Sequence, residues 1–138
     1  MKKSMTLQQV LNKYLINSYL AEKDPQYGYI LSNKIREAIQ KSVAVIVILT
    51  KNSIISASVN QEIGYALGLG MTIIPMVSDD VRGEVGVLLN DVEGEIFKED
   101  DFESKCDKIA KFILKQIESL KISTSDDYEL FNKERDDF

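Results

Sequence analysis

Glu62 is the carboxylate in this chain best placed for chemistry. It lies in the stretch Val59-Asn60-Gln61-Glu62-Ile63-Gly64-Tyr65-Ala66. That stretch is predicted to open a helix just past the carboxyl end of a buried strand, where ligands of open α/β sheets bind. Early in a helix, the dipole keeps a carboxylate ionised. The same position also suits an ordinary solvated helix residue. The sequence contains no histidine, which removes the usual neutral-pH acid/base group and the commonest metal ligand. Catalysis would therefore run on carboxylates, hydroxyls, amides or the backbone. Ser53 and Ser56 follow the strand, where hydroxyls bond a ribose or phosphate, or cap a helix, the commoner job. Asp79, Asp80 and Glu84 form an acidic cluster without enough further ligands for a metal site, and no metal is expected. Cys106 is the one cysteine. It reads as a small buried residue, no intrachain disulfide can form, and a cytoplasmic setting fits.

The elements that must position Glu62 follow from patterning. Val43 to Leu49 is a continuous apolar, β-branched run, as in a parallel strand buried on both faces. Val59, Ile63, Ala66 and Leu67 then share one helical face from Val59 to Leu69. Ser58 with Gln61 fits a capping box, and Gly68 and Gly70 supply a stop. Gly64 reads as a place where the helix closes on the sheet. Ile73 to Val77 is a second buried strand, expected beside the first. Upstream, Leu7, Val10, Leu11, Tyr14 and Leu15 predict an amphipathic helix over Thr6 to Leu15. Tyr19 to Ala21 fits a short strand, and Glu22 to Leu31 an exposed loop with Asp24-Pro25 and Gly28. Ser32 would cap a helix from Asn33 to Lys41, with Ile35, Ala38 and Ile39 inward. Downstream, Ser78 to Glu93 predicts a short irregular helix and a loop, and Glu95 to Phe97 a last strand. Asp101 to Leu120 predicts a long helix with Phe102, Ile109, Phe112, Ile113, Ile117 and Leu120 on its apolar side.

A length of 138 residues with 44% hydrophobic and 28% charged residues suits one soluble domain with a core of its own. We place the domain at residues 1–122. The polar stretch 123–138 reads as a mobile tail, with a short docking helix as the alternative. A net charge of −5 does not favour a nucleic-acid partner. No apolar run approaches the roughly 18 residues of a membrane span, so no membrane association is expected. The start, MKKSMTLQQ, lacks the apolar core of a signal peptide.

Taken together, Lys34 to Ile39, Val45 to Thr50 with Lys51-Asn52-Ser53, Val59 to Ala66 and Ile73-Ile74-Pro75 resemble a prokaryotic TIR (Toll/interleukin-1 receptor-like) domain. The resemblance runs from about Tyr19 to Val77 and continues more weakly to Leu120. It implies a flavodoxin-like α/β sandwich with a mainly parallel sheet in the order 2-1-3-4-5. Many members cleave NAD at the nicotinamide–ribose bond, and some cyclise the product. NAD is then the substrate and no cofactor is implied. The family's catalytic glutamate lies on the helix after the third strand, and Glu62 matches it. Tyr27 and Gly28, with Tyr29, fall in a loop that in relatives borders the pocket and mediates assembly; a plain surface loop is the other reading. Tyr65 either borders the pocket or covers the core edge.

The chain departs from the family pattern in two places. The family's first strand precedes its first helix, whereas here a helix starts almost at Met1. That strand is internal to the sheet, so its loss leaves a gap unless strands two and three pair directly or another chain fills it. Buried unpaired backbone groups are costly, so self-association into a homo-oligomer is expected. An aromatic residue often lies four positions before the family glutamate, and Ser58 holds that place. Two activity classes follow from the resemblance: a NAD nucleosidase or cyclase, as in bacterial defence systems, or a non-catalytic module that works by assembly. A nucleoside deoxyribosyltransferase-like enzyme has a related fold, but the chain has no matching nucleoside-pocket motif.

Overall fold

The computed structural model describes residues 2–19, 33–85, 89 and 92–136, with side chains to residue 120. The described elements run α1 (Lys3–Lys13), α2 (Asn33–Gln40), β1 (Ala44–Leu49), α3 (Ala57–Gly68), β2 (Thr72–Ser78), a 3-10 turn (Asp79–Glu84), β3 (Glu95–Phe97) and α4 (Phe102–Asp136). The three strands form one sheet in the order β1-β2-β3. Both pairings are parallel, with Val47 opposite Pro75 and Val77 opposite Ile96. This is a mixed α/β fold consistent with the flavodoxin-like expectation. The runs Val43–Leu49 and Ile73–Val77 supply the neighbouring parallel strands β1 and β2, as their apolar character predicts.

Helices cover both faces of the sheet, because alternate strand residues point to opposite sides. On one face, Leu7, Val10 and Leu11 of α1 and Phe102, Cys106, Ile109 and Ile113 of α4 pack on Ala44, Ile74, Met76 and Phe97. On the other, Ile35 and Ile39 of α2 and Ile63 and Ala66 of α3 pack on Val47, Leu49, Ile73 and Val77. β2 is central and buried throughout Ile73–Val77. β1 is less covered, with Val45, Ile46 and Ile48 only half-buried. Among the described residues, β1 pairs with β2 alone.

Backbone detail explains several element ends. α3 closes with a left-handed glycine: Gly70 has φ +70°, its N–H donates to Leu67 O, and Met71 N–H donates to Ala66 O. α1 closes in the same six-residue pattern with Leu15 N–H to Asn12 O and Ile16 N–H to Leu11 O. There a leucine with φ 59° takes the glycine's place. The pattern satisfies orphan helix carbonyls, but a side chain in that conformation is strained. Leu15 is accordingly 86% exposed rather than inward, while Ile16 is buried. Gly94 is fixed by packing: an added Cβ would sit 2.1 Å from Pro75 O.

Other expectations need correction. Phe112 and Leu120 are exposed, not on the buried side of α4. The backbone of α4 continues to Asp136. Gly64 brings no close approach, since an added Cβ would meet nothing within 4 Å. The proposed cap Ser32, residues 20–21 of the short strand after Tyr19, and the loop 22–31 lie outside the described residues.

Candidate functional site

The loop from β1 to α3 is tied at both ends by side chains. Ser53 Oγ donates to Ile48 O at 2.7 Å and accepts from Thr50 N–H at 2.7 Å. The loop start is thereby held to the carboxyl end of β1. Backbone bonds from Ile54 N–H to Thr50 O and from Ser56 N–H to Ser53 O tighten the turn. At the far end, Ser56 is the N-cap of α3, and its hydroxyl accepts from Val59 N–H. The cap is therefore Ser56, not Ser58, and α3 begins two residues before the Val59 expected from patterning. Ser58 Oγ lies 2.9 Å from Ser56 Oγ. The side-chain amide of Asn60 donates to Ser56 O at 2.9 Å and to Ile54 O at 3.3 Å.

This frame sets α3, and Glu62 on it, beside a cavity of about 260 Å³. Consecutive residues Ala44 to Ile48 line the cavity along β1, with Leu7 and Leu11 on one side and Ile35, Ile39, Val59 and Glu62 on the other. Successive strand residues belong to opposite faces. A cavity touching all of them lies beside the strand's edge, in the plane of the sheet and between the two helix layers. The half-burial of Val45, Ile46 and Ile48 is the same feature seen from the strand. Glu62 is half-buried where it lines this space.

The described candidate residues do not all reach the cavity. Glu62 lines it. Ser53 and Ser56 stand in the adjoining loop with their hydroxyls in the local bonds just described. Tyr65 packs with the α2–α3 core, and its hydroxyl accepts from Gln40 Nε2 at 2.6 Å, which ties α3 to α2. Tyr27 and Gly28 lie outside the described residues. Asp79 pairs with Arg82 at 3.5 Å. No group of three or more His, Cys, Asp or Glu able to hold a metal ion occurs among the described residues. Thr50 and Asn60 are loop-fixing residues that patterning missed. The available signal was an asparagine, a poor helix former, inside a predicted helix.

A cluster of hydrogen-bonded and charged groups lies on the seam between α1 and α4. Tyr14 donates a short hydrogen bond to Asp107, and Lys111 pairs with the same carboxylate at 3.1 Å. The bond to Tyr14, then the one to Lys111, holds the Asp107 carboxyl below its ordinary range. The bond to Asp107 raises both the Tyr14 phenol and the Lys111 ammonium. Burial pushes the Cys106 thiol up to about 11, so it stays protonated and inert near neutrality. A second cavity, of about 510 Å³, opens between α3, α4 and the segment before β3. Its walls include Leu67, Met71, Ile73, Ile109 and Phe112, and none of the described candidate residues lines it. No helix among the described residues is long and apolar enough to cross a membrane.

A family model described as a TIR domain matches residues 5–110, well over half of the chain. The comparisons with curated proteins and with solved structures found no match.

Proposed function

The chain belongs to the TIR domain family, and from that membership we propose that it cleaves NAD at the nicotinamide–ribose bond in defence signalling. The observation that carries the reading is Glu62 on the wall of the cavity beside β1. Loss of neutral nicotinamide leaves positive charge on the ribose. A fixed carboxylate beside that centre stabilises the charge as it develops, and its oxygens accept hydrogen bonds from the ribose hydroxyls. Such a step asks for neither a histidine nor a metal, which suits a sequence without histidine. A cavity of about 260 Å³ lies below the roughly 300–1,000 Å³ of a drug-sized site. It would take the nicotinamide–ribose end of the dinucleotide and leave the adenosine end outside. Ser53, Ser56 and Tyr65, together with Tyr27 and Gly28, would border the substrate. Free nicotinamide released from NAD by the wild-type protein tests the reading, and a folded protein that releases none contradicts it.

A second reading is an assembly module without catalysis, and the cavity itself favours it. The space runs along β1, which among the described residues pairs with β2 alone. A segment of a second copy entering this gap would pair with the edge of β1 and bury its half-covered residues. Both readings are compatible with a homo-oligomer that completes its own site.

A further inference from the structure

We propose that Asn60 is a positioning residue for the Glu62 site, holding the Thr50–Ser56 loop against the first turns of α3. The inference rests on Glu62 being the catalytic carboxylate. Its own support is the hydrogen bonding of one side chain. Asn60 spends one amide hydrogen on the loop, on Ile54 O at 3.3 Å, and the other on the N-cap carbonyl that ends the loop, Ser56 O at 2.9 Å. The Ser56 carbonyl also accepts from the Asn60 backbone N–H at 3.1 Å, so Asn60 grips it twice. Ser53 fixes the other end of the loop to Ile48 O. The path from β1 to the helix carrying Glu62 is thus clamped at its start by a hydroxyl and at its finish by an amide.

Local stability does not account for this residue. Asn60 is exposed and sits inside α3, where asparagine is a poor helix former and alanine a better one. An exposed side-chain hydrogen bond gives only a modest net gain, and replacing asparagine recovers helix propensity. The bond to Ile54 O crosses from helix to loop and the bond to Ser56 O holds the N-cap where the loop ends, so their effect falls on loop geometry rather than on the global fold. In a site whose work is electrostatic, a displacement of about 1 Å costs about 10²-fold in rate.

Two variants test the proposal. Asn60→Ala removes the donor. Asn60→Asp keeps the shape, cannot donate, and places an anion near a helix N-terminus, where it favours the helix. Amide exchange at Ile54 and Ser56 reads the loop, because their N–H groups donate to Thr50 O and Ser53 O within it. For both variants we expect exchange there to quicken by about tenfold, with the melting temperature unchanged. Nicotinamide release should fall by about 10–100-fold in kcat, with KM changed far less. Asn60→Ser, whose hydroxyl can still bond the carbonyl four residues back, should recover part of both. Unchanged exchange overturns the proposal, as does quickened exchange with unaltered kcat, or an activity loss that follows the melting temperature. A wild type that releases no nicotinamide refutes the function itself before any variant is compared. An active wild type with unaffected variants overturns only the role of Asn60.

Discussion

Replacing Gly94 with alanine should destabilise the centre of the sheet. Gly94 precedes β3 and lies against Pro75, in the middle of the central strand. An added Cβ would meet Pro75 O at 2.1 Å, Cγ at 2.6 Å and Cδ at 2.8 Å. The nearest atom is backbone and cannot rotate away, and the other two belong to a ring. Relief requires moving β2 against β1, or moving the start of β3. Overpacking in a well-filled interior costs about 1–3 kcal/mol, and contact with a strand carbonyl places this case at about 3 kcal/mol. For a chain of this length, 1 kcal/mol moves the melting temperature by about 3–5 °C. A thermal melt should therefore fall by about 10–15 °C. Gly64→Ala is the matched control, because its added methyl meets nothing within 4 Å. It should raise stability by about 0.5–1 kcal/mol through helix propensity. A Gly94→Ala protein melting with the wild type would show that the segment before β3 does not press on Pro75, and the reasoning would fail.

Three further outcomes are expected. Leu15→Gly should stabilise by about 0.5–1 kcal/mol in chemical denaturation, since it relieves a left-handed leucine that is 86% exposed; a loss of stability would contradict the shared helix-end pattern. The depressed Asp107 carboxyl contributes stability above its unfolded value that is lost as pH falls through the folded value. Tyr14→Phe removes the largest cause of that depression, so the Asp107 titration seen by NMR should move up toward the ordinary range, and an unmoved titration would count against the bond. Light scattering should show association that grows with concentration, because among the described residues β1 pairs with β2 alone; a strict monomer at high concentration would contradict it.

The sheet was legible because β1 and β2 are uninterrupted apolar runs, and such runs read as buried parallel strands at any register. The inward residues of α2 were legible from their helical spacing. The start of α3 was not, because Ser53, Ser56 and Ser58 are all capping residues by type. The choice among them rests on backbone geometry: Ser56 is extended and reaches Val59 N–H, while Ser53 is engaged with Ile48 O. Leu15 and Phe112 keep the helical period yet are exposed, since the backbone turns left-handed at the one and the packed seam of α4 passes beside the other. Chain order alone puts Glu62 on the helix that follows β1. The cavity beside it could not, because it is made by the spacing of α1 and α2 on either side of β1, a property of the packed layers rather than of any one stretch.

Nicotinamide release from NAD by wild-type protein and by Glu62→Gln, with a thermal melt of each, tests the central claim. Glutamine keeps the size of the side chain and its helix propensity and removes only the charge. Loss of one oriented group at such a centre typically costs about 10²–10³ in rate, whereas a substitution that keeps size and helix propensity leaves the fold largely intact. The account predicts an active wild type and a variant that melts with it yet loses at least 10²-fold in release. Activity that survives the substitution, in a protein equally well folded, would contradict Glu62 as the catalytic carboxylate.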